Sequence, residues 1–348
     1  MATTGHARHR RHCCGMNDEE AAKADKYGRE LIVKTGVSAV LYPLANIKTL
    51  FQLGYEPFPL STGKMFGIGR EAYFLPNGFS YGRNMLKKHG WSGLYNGVDA
   101  AIVATLVGGS VSFATSMYLD RYFPDIGGKP VNLEKEEREL SEEESVRRLV
   151  RSAIRETAAR TVGVIVARPF TVIMVRKVAQ LIGGEMKYGD VISSLYVIGR
   201  EEGPKGYFSG LVPQLIAEFI TIWGVHSLIY VIERGMLHIQ GPDHVEDAEK
   251  EELMTSTKKV LHLVAPFIVN TFSYPYTVVS TVMAVTGSGL AVSMLPYSPA
   301  FSMWQDAWYY LKPNQGLKRG ARMFYRDYSG AVTVGPDREL YASNKHFI

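Results

Sequence analysis

RPFTVIMVRKVAQ, residues 168–180, is followed after a short amphipathic segment by REEGPKGYFSGLVP, residues 200–213. Pro169 lies inside an apolar run of helical length, where it removes a backbone donor and bends the helix. Behind that run come a short helix, a Gly-aromatic-aromatic-x-Gly turn and a second apolar run. Variants of this unit stand before and after it, so the chain reads as a repeat of helix pairs.

Working outward, the run around Pro169 covers Ala158 to Ile182 and its partner covers Leu211 to Ile232. Upstream, Leu31 to Tyr55 carries Pro43 in its middle and is followed by Val98 to Tyr118, rich in small residues that let membrane helices approach closely. Downstream, Val260 to Thr286 carries Pro275. About 20 apolar residues suffice to cross a bilayer, so about five spans are expected, with Pro43, Pro169 and Pro275 as architectural kinks. Short amphipathic helices are expected to end at Gly90, at Gly203 and near Gly316, the first offering Phe79, Met85 and Leu86 for burial. Ser141 with Glu144 predicts a capping box for a helix that leads into the third run. A sixth run is missing: Ser329 to Ile348 carries charges and a proline and cannot span a bilayer.

Composition agrees with close-packed membrane helices diluted by polar loops. Hydrophobic residues make up 46% and there are 34 glycines, while mean hydropathy is −0.05. The net charge of +5 is spread out, with no basic patch interleaved with stacking aromatics, so nucleic acid is not implied. The only cysteines, Cys13 and Cys14, are adjacent and cannot build a disulfide framework, which suits a reducing compartment. STGKM at Ser61 lacks the upstream glycine of a phosphate loop, GIG at Gly67 is no dinucleotide fingerprint, and His226, His238, His244 and His262 lack metal-ligand spacing. Neither an enzyme, a metal nor a cofactor is implied. The expected organisation is a disordered polar tail over 1–30, a first repeat over 31–125 and a charged insert with a second repeat over 126–257. An incomplete third repeat over 258–330 and a polar tail over 331–348 complete it.

The order of Pro-kinked helix, short helix, Gly-aromatic turn and second helix resembles the mitochondrial carrier family. The prolines recur about every 105 to 125 residues, near that family's repeat length. GYEPFP (Gly54 to Pro59), REEGPKGYFSGLVP, PYSP (Pro296 to Pro299) and GARMFYRD near the C-terminus resemble its divergent branch, the mitochondrial carrier homologs. Ordinary carriers resemble P-x-[DE]-x-x-[KR]-x-[KR] in each repeat, and those charges pair to close the cavity. Here Ala45, Thr171 and Thr277 stand at the acidic positions. Lys48, Met174 and Ser280 stand at the first basic positions and Leu50, Arg176 and Val282 at the second, so only Lys48 and Arg176 survive. The fold implied is an all-α membrane protein, a truncated carrier-like helical bundle with Pro-kinked odd helices, short amphipathic helices and no sixth transmembrane helix.

Polar groups in hydrocarbon must face protein, water or the interface. Gln214, Glu218 and Thr221 fall on one face of the fourth run, and Asn270, Ser273, Thr277 and Ser280 form a stripe on the fifth. With Lys48 beside Asn46 and Thr49, and with Arg176 and His226, these residues predict a hydrophilic groove open to lipid where the sixth helix is absent. Each has a structural alternative: Glu218 can pair with Lys48 or Arg176, Lys48 can reach a headgroup, Arg176 can be structural, and His226 and Asn270 can be packing residues. The resemblance implies a mitochondrial outer-membrane insertase whose partners are the bilayer and tail-anchored and other α-helical client proteins. It also implies recruitment of a pro-apoptotic protein. A solute carrier and a docking scaffold for apoptotic or metabolic regulators are the alternatives.

Overall fold

The computed structural model describes residues 18–65, 69–128, 140–240, 248–293 and 301–342. Its helices are α1 (Asp18–Val40), α2 (Tyr42–Leu53), α3 (Gly78–Leu94), α4 (Val98–Tyr122), α5 (Glu142–Gly183), α6 (Val191–Glu201), α7 (Pro204–Tyr207), α8 (Leu211–Gln240), α9 (Ala248–Val285) and α10 (Trp304–Leu311). α5 is the hub. It packs on α4 and α8, and through its C-terminal half on α9, α6 and α2; α1 leans on α4 and α9 on α8.

Local chemistry sets the element ends. Ser141 and Glu144 form the expected reciprocal capping box at the start of α5, and the Asp190 carboxylate caps α6 by accepting from the amides of Ile192 and Ser193. Pro169 sits within a continuous α5, and Pro266 and Pro275 within a continuous α9. Pro43 does more than kink its run. Helix α1 stops at Val40, and Pro43 occupies the first turn of α2, where its missing N–H is no loss.

Three helical segments among the described residues are long and apolar enough to cross a membrane: Val98–Tyr122, Glu142–Gly183 and Pro204–His238. Five were expected. The break at Leu41 splits the first run, and polar residues such as His262, Asn270, Thr271 and Ser273 dilute the fifth.

Other expectations change as well. Residues 18–30, read as part of a disordered tail, belong to α1, and Tyr27 stacks on Phe113 of α4 at 4.3 Å. Cys13, Cys14 and the PYSP segment lie outside the described residues. In α3, Met85 is fully buried and Leu86 packs beside it, but Phe79 stays exposed. The all-helical frame carries two small sheets. The strands β1 (Ser61–Lys64), β2 (Glu71–Phe74) and β3 (Asp327–Tyr328) form one, in the order β1-β2-β3. The hairpin β4 (Val332–Val334) and β5 (Leu340–Ala342) forms the other, within the segment read as a polar tail.

The core lies at one end of the bundle. Three buried clusters join the C-terminal halves of α5 and α9 to α2, α3, α6 and α10. Residues 175–180 of α5 are buried without interruption, whereas α4 keeps only Ala100 buried. Toward the other end the helices expose apolar side chains, as helices bathed in lipid do.

Candidate membrane-facing groove

At the packed end, polar side chains lock the helices together. Arg176 is completely buried, and its guanidinium forks onto both carboxylate oxygens of Glu202, with Nη2 2.8 Å from Oε2. Its Nε donates to the Ala284 carbonyl at 2.8 Å and its Nη1 to the Tyr188 hydroxyl at 3.2 Å. One cation thereby ties α5 to the end of α9 and to the loop after α6. Beside it, Lys177 meets Asp99 at 2.7 Å, fixing the start of α4. Arg168 donates to the carbonyls of Ser209 and Ser280. Gly210, with φ of +69°, leaves room for that guanidinium, because a Cβ there would stand 2.5 Å from Arg168 Nη2.

A second group lies between α5 and α8. Arg160 meets Glu218 at 3.3 Å, and Gln214 donates to the same carboxylate at 3.1 Å. His226 pairs with Glu156 at 2.9 Å. Thr221 turns its hydroxyl back onto the Ala217 carbonyl. The fourth-run stripe therefore forms a polar seam against α5. Glu156 and Arg160 were not among the sequence-predicted residues, although their four-residue spacing on one face of α5 matches the reach of two partners on a neighbouring helix.

The third region is the open side. α1 and α9 stand at the two ends of the arc of helices and share no substantial contact. Along the gap each holds its neighbour by one narrow ridge. On α1 the ridge is Leu31 and Thr35, with Leu31 seated over Gly109 of α4, where a Cβ would come 2.6 Å from Leu31 Cδ1. On α9 it is Leu261, Ala265 and Val269, with Val269 over Gly224 of α8. Apart from that ridge, 32–40 of α1 and 260–272 of α9 are largely bare, whereas Tyr27 of α1 stacks on Phe113 and the C-terminal half of α9 is packed in the core. Ile32, Val33, Val37 and Val40 are exposed on α1, as are Val260, Leu263, Phe267 and Phe272 on α9. Beside each ridge runs an exposed polar row, Lys34 and Ser38 on α1 and His262 and Asn270 on α9.

The gap closes at its packed end. Gln52 of α2 accepts from Thr281 at 3.0 Å, and Lys48 lies 5.1 Å from the Tyr274 ring centroid. Of the residues expected to form one path, Lys48 and Asn270 belong to this open side. Ser273 is buried, Thr277 is half-buried, and Arg176 is the clamp described above. Glu218, Gln214, Thr221 and His226 are grouped on α8 instead. Among the described residues no cluster of three or more His, Cys, Asp or Glu could hold a metal ion.

The model of the family described as mitochondrial carrier protein matches residues 147–232, the capped helix through the Gly-aromatic turn and most of α8. Human mitochondrial carrier homolog 2 is 31% identical over 301 residues, covering 85% of this chain and 93% of that protein. The mouse form is 30% identical over 297 residues with the same coverage. Mouse mitochondrial carrier homolog 1 is 29% identical over 303 residues, covering 84% and 74%. The chain belongs to the mitochondrial carrier homologs. They form a divergent branch of the mitochondrial carrier family, and this carrier homolog is a mitochondrial membrane protein with carrier-like helices. Its surviving cation Arg176 has Glu202 as partner, an acid supplied by the EEG turn (201–203) rather than by the proline-containing helices.

Proposed function

We propose that this carrier homolog works in the mitochondrial outer membrane as an insertase for tail-anchored and other α-helical proteins, with the α1–α9 gap as the lateral route. The same surface offers a place to recruit a pro-apoptotic protein. The observation that carries the reading is the pair of edge helices, each docked along the gap, over 31–40 of α1 and 260–272 of α9, by a single ridge and carrying an exposed polar row next to an exposed apolar face. A client with one apolar helix and a short polar tail must carry that tail through hydrocarbon. A charge at the bilayer centre costs roughly 2.5–3.5 kcal/mol on insertion scales. Polar groups and water along the open edge lower this cost, and the missing wall lets the apolar helix leave sideways into lipid.

Glu218→Arg, the substitution that the polar stripe alone suggests, would set two cations against each other across the α5–α8 seam and so cannot isolate the groove. Asn270→Leu combined with Thr271→Leu changes two exposed side chains on the open edge. Purified protein in liposomes is offered a tail-anchored client, and insertion is read by protease protection. The double variant is expected to fold normally and to insert at least about threefold more slowly. Equal rates for both proteins, or no stimulation by the folded parent, would remove the groove reading.

A further inference from the structure

Beneath the packed end lies a cavity of about 930 Å³ between the end of α2, the segment after α10 and the strand β3. Its wall includes Lys318, Arg319, Arg322 and Arg326, against the acids Glu56 and Asp327. Two of the cations are already engaged. Arg326 is bound to Glu56, both side chains being about nine-tenths buried, and Arg322 meets Asp327 at 3.1 Å. The Arg319 side chain is half-buried and makes neither a hydrogen bond nor an ion pair with any described residue. Burial holds its pKa below the ordinary arginine range.

The backbone around Arg319 is shaped to leave it there. Gly54 has φ of +83°, and a Cβ on it would stand 2.7 Å from the guanidinium Nη1. Gly320 has φ of +72°, and a Cβ there would meet the Tyr274 hydroxyl at 2.9 Å. Two left-handed glycines thus hold a cation whose nearest acid, Glu56, acts on it through space but is bound to Arg326, so that among the described residues no carboxylate is hydrogen-bonded to its guanidinium. A half-buried guanidinium without a partner is costly, and its planar fork fits phosphate oxygens. Close in sequence to the lining residues Arg322 and Arg326, Phe324 is exposed and lies 5.4 Å from the exposed Phe79, the kind of aromatic pair that settles at a headgroup layer.

We infer that this cavity binds a phosphate ester, with Arg319 as the principal ligand and Lys318 and Arg322 at the mouth. A phospholipid headgroup and a free phosphate ester share that chemistry. The volume accommodates a headgroup with its glycerol, within the usual range of small-molecule sites.

The test uses the full chain in detergent and a fluorescent short-chain phosphatidic acid, read by anisotropy, with unlabelled short-chain phosphatidic acid, short-chain phosphatidylcholine and inorganic phosphate as competitors. Saturable binding is expected, weakened about tenfold by Arg319→Gln and about threefold by Arg319→Lys. Arg83→Gln, an exposed change on α3 outside the cavity, should leave it unaltered. Competition by inorganic phosphate alone assigns a free ester, and competition only by lipids carrying a net negative headgroup assigns the membrane. Unsaturable binding, or equal affinity in Arg319→Gln, overturns the site. Should Arg319→Gln fail to fold, Arg319→Lys decides alone, and unchanged affinity there counts against the site.

Discussion

Replacing Arg176 with methionine tests the reasoning most sharply. Methionine fills a similar volume, so the loss is mainly electrostatic. It strands the Glu202 carboxylate, of which 15% is exposed, and removes the donor to the Ala284 carbonyl at 2.8 Å. Removing one partner of a buried pair costs about 3–5 kcal/mol. At roughly 2 °C per kcal/mol for a chain of this size, the thermal midpoint in detergent should fall by roughly 6 to 10 °C. Arg176→Lys keeps the charge but loses the fork, so about half of the loss should return. Glu202→Gln closes the cycle: the double variant Arg176→Met, Glu202→Gln should be less destabilised than the two single losses summed, by at least about 1 kcal/mol. Midpoints followed by tryptophan fluorescence and by protease resistance give the four corners. Additive losses, or an Arg176→Met midpoint within 1 °C of the parent, would refute the view that this cation joins α5, α6 and α9.

Gly163 faces α4 so closely that a Cβ would stand 2.7 Å from the Gly108 carbonyl, a backbone atom that cannot move aside. Gly163→Leu should therefore separate α4 from α5, lower the yield of monodisperse protein in gel filtration and leave little that refolds. His89 on α3 is held below the ordinary histidine pKa, first by burial and then by Lys88, and its buried Nε2 has no hydrogen-bond partner among the described residues. The unfolded chain then binds the proton more readily, so stability present above about pH 6.5 is lost as the pH falls toward the lower folded value. His89→Gln should flatten that slope in melts taken between pH 5 and 7.5, and an unchanged slope would exclude this histidine as its source.

The helical frame was legible because it is written locally. Prolines, capping residues and glycine turns fix where helices begin, bend and end, and Ser141, Gly54, Gly203 and Gly210 do so here. Pro43 was misread in degree, since sequence does not say whether a proline bends one helix or starts the next. The partners of charged residues were less legible. Arg176 looked unpaired because its acid lies 26 positions away in a loop, and Glu218 looked like a groove residue because Arg160 comes from another helix. Periodicity marks which face of a helix is polar, but not which neighbour covers that face. The small sheets were missed for a related reason: strands of two to four residues leave no periodic trace, and the pairing of β2 with β3 spans more than 250 positions.

The bare apolar bands on α1 and α9 are short. From Ile32 to Leu44 on one side, continuing from α1 into α2, and from Val260 to Phe272 on the other, each runs twelve residue steps, about 18 Å of helix rise. The hydrocarbon layer is about 30 Å thick, and α4, with 25 residues, is long enough to match it. The lipid boundary is therefore mismatched on one flank only. Acyl chains beside the gap must shorten or tilt to meet those bands, while those beside α4 need not. The protein would thus carry a local dimple in the bilayer, fixed in position by the two helices that border the opening.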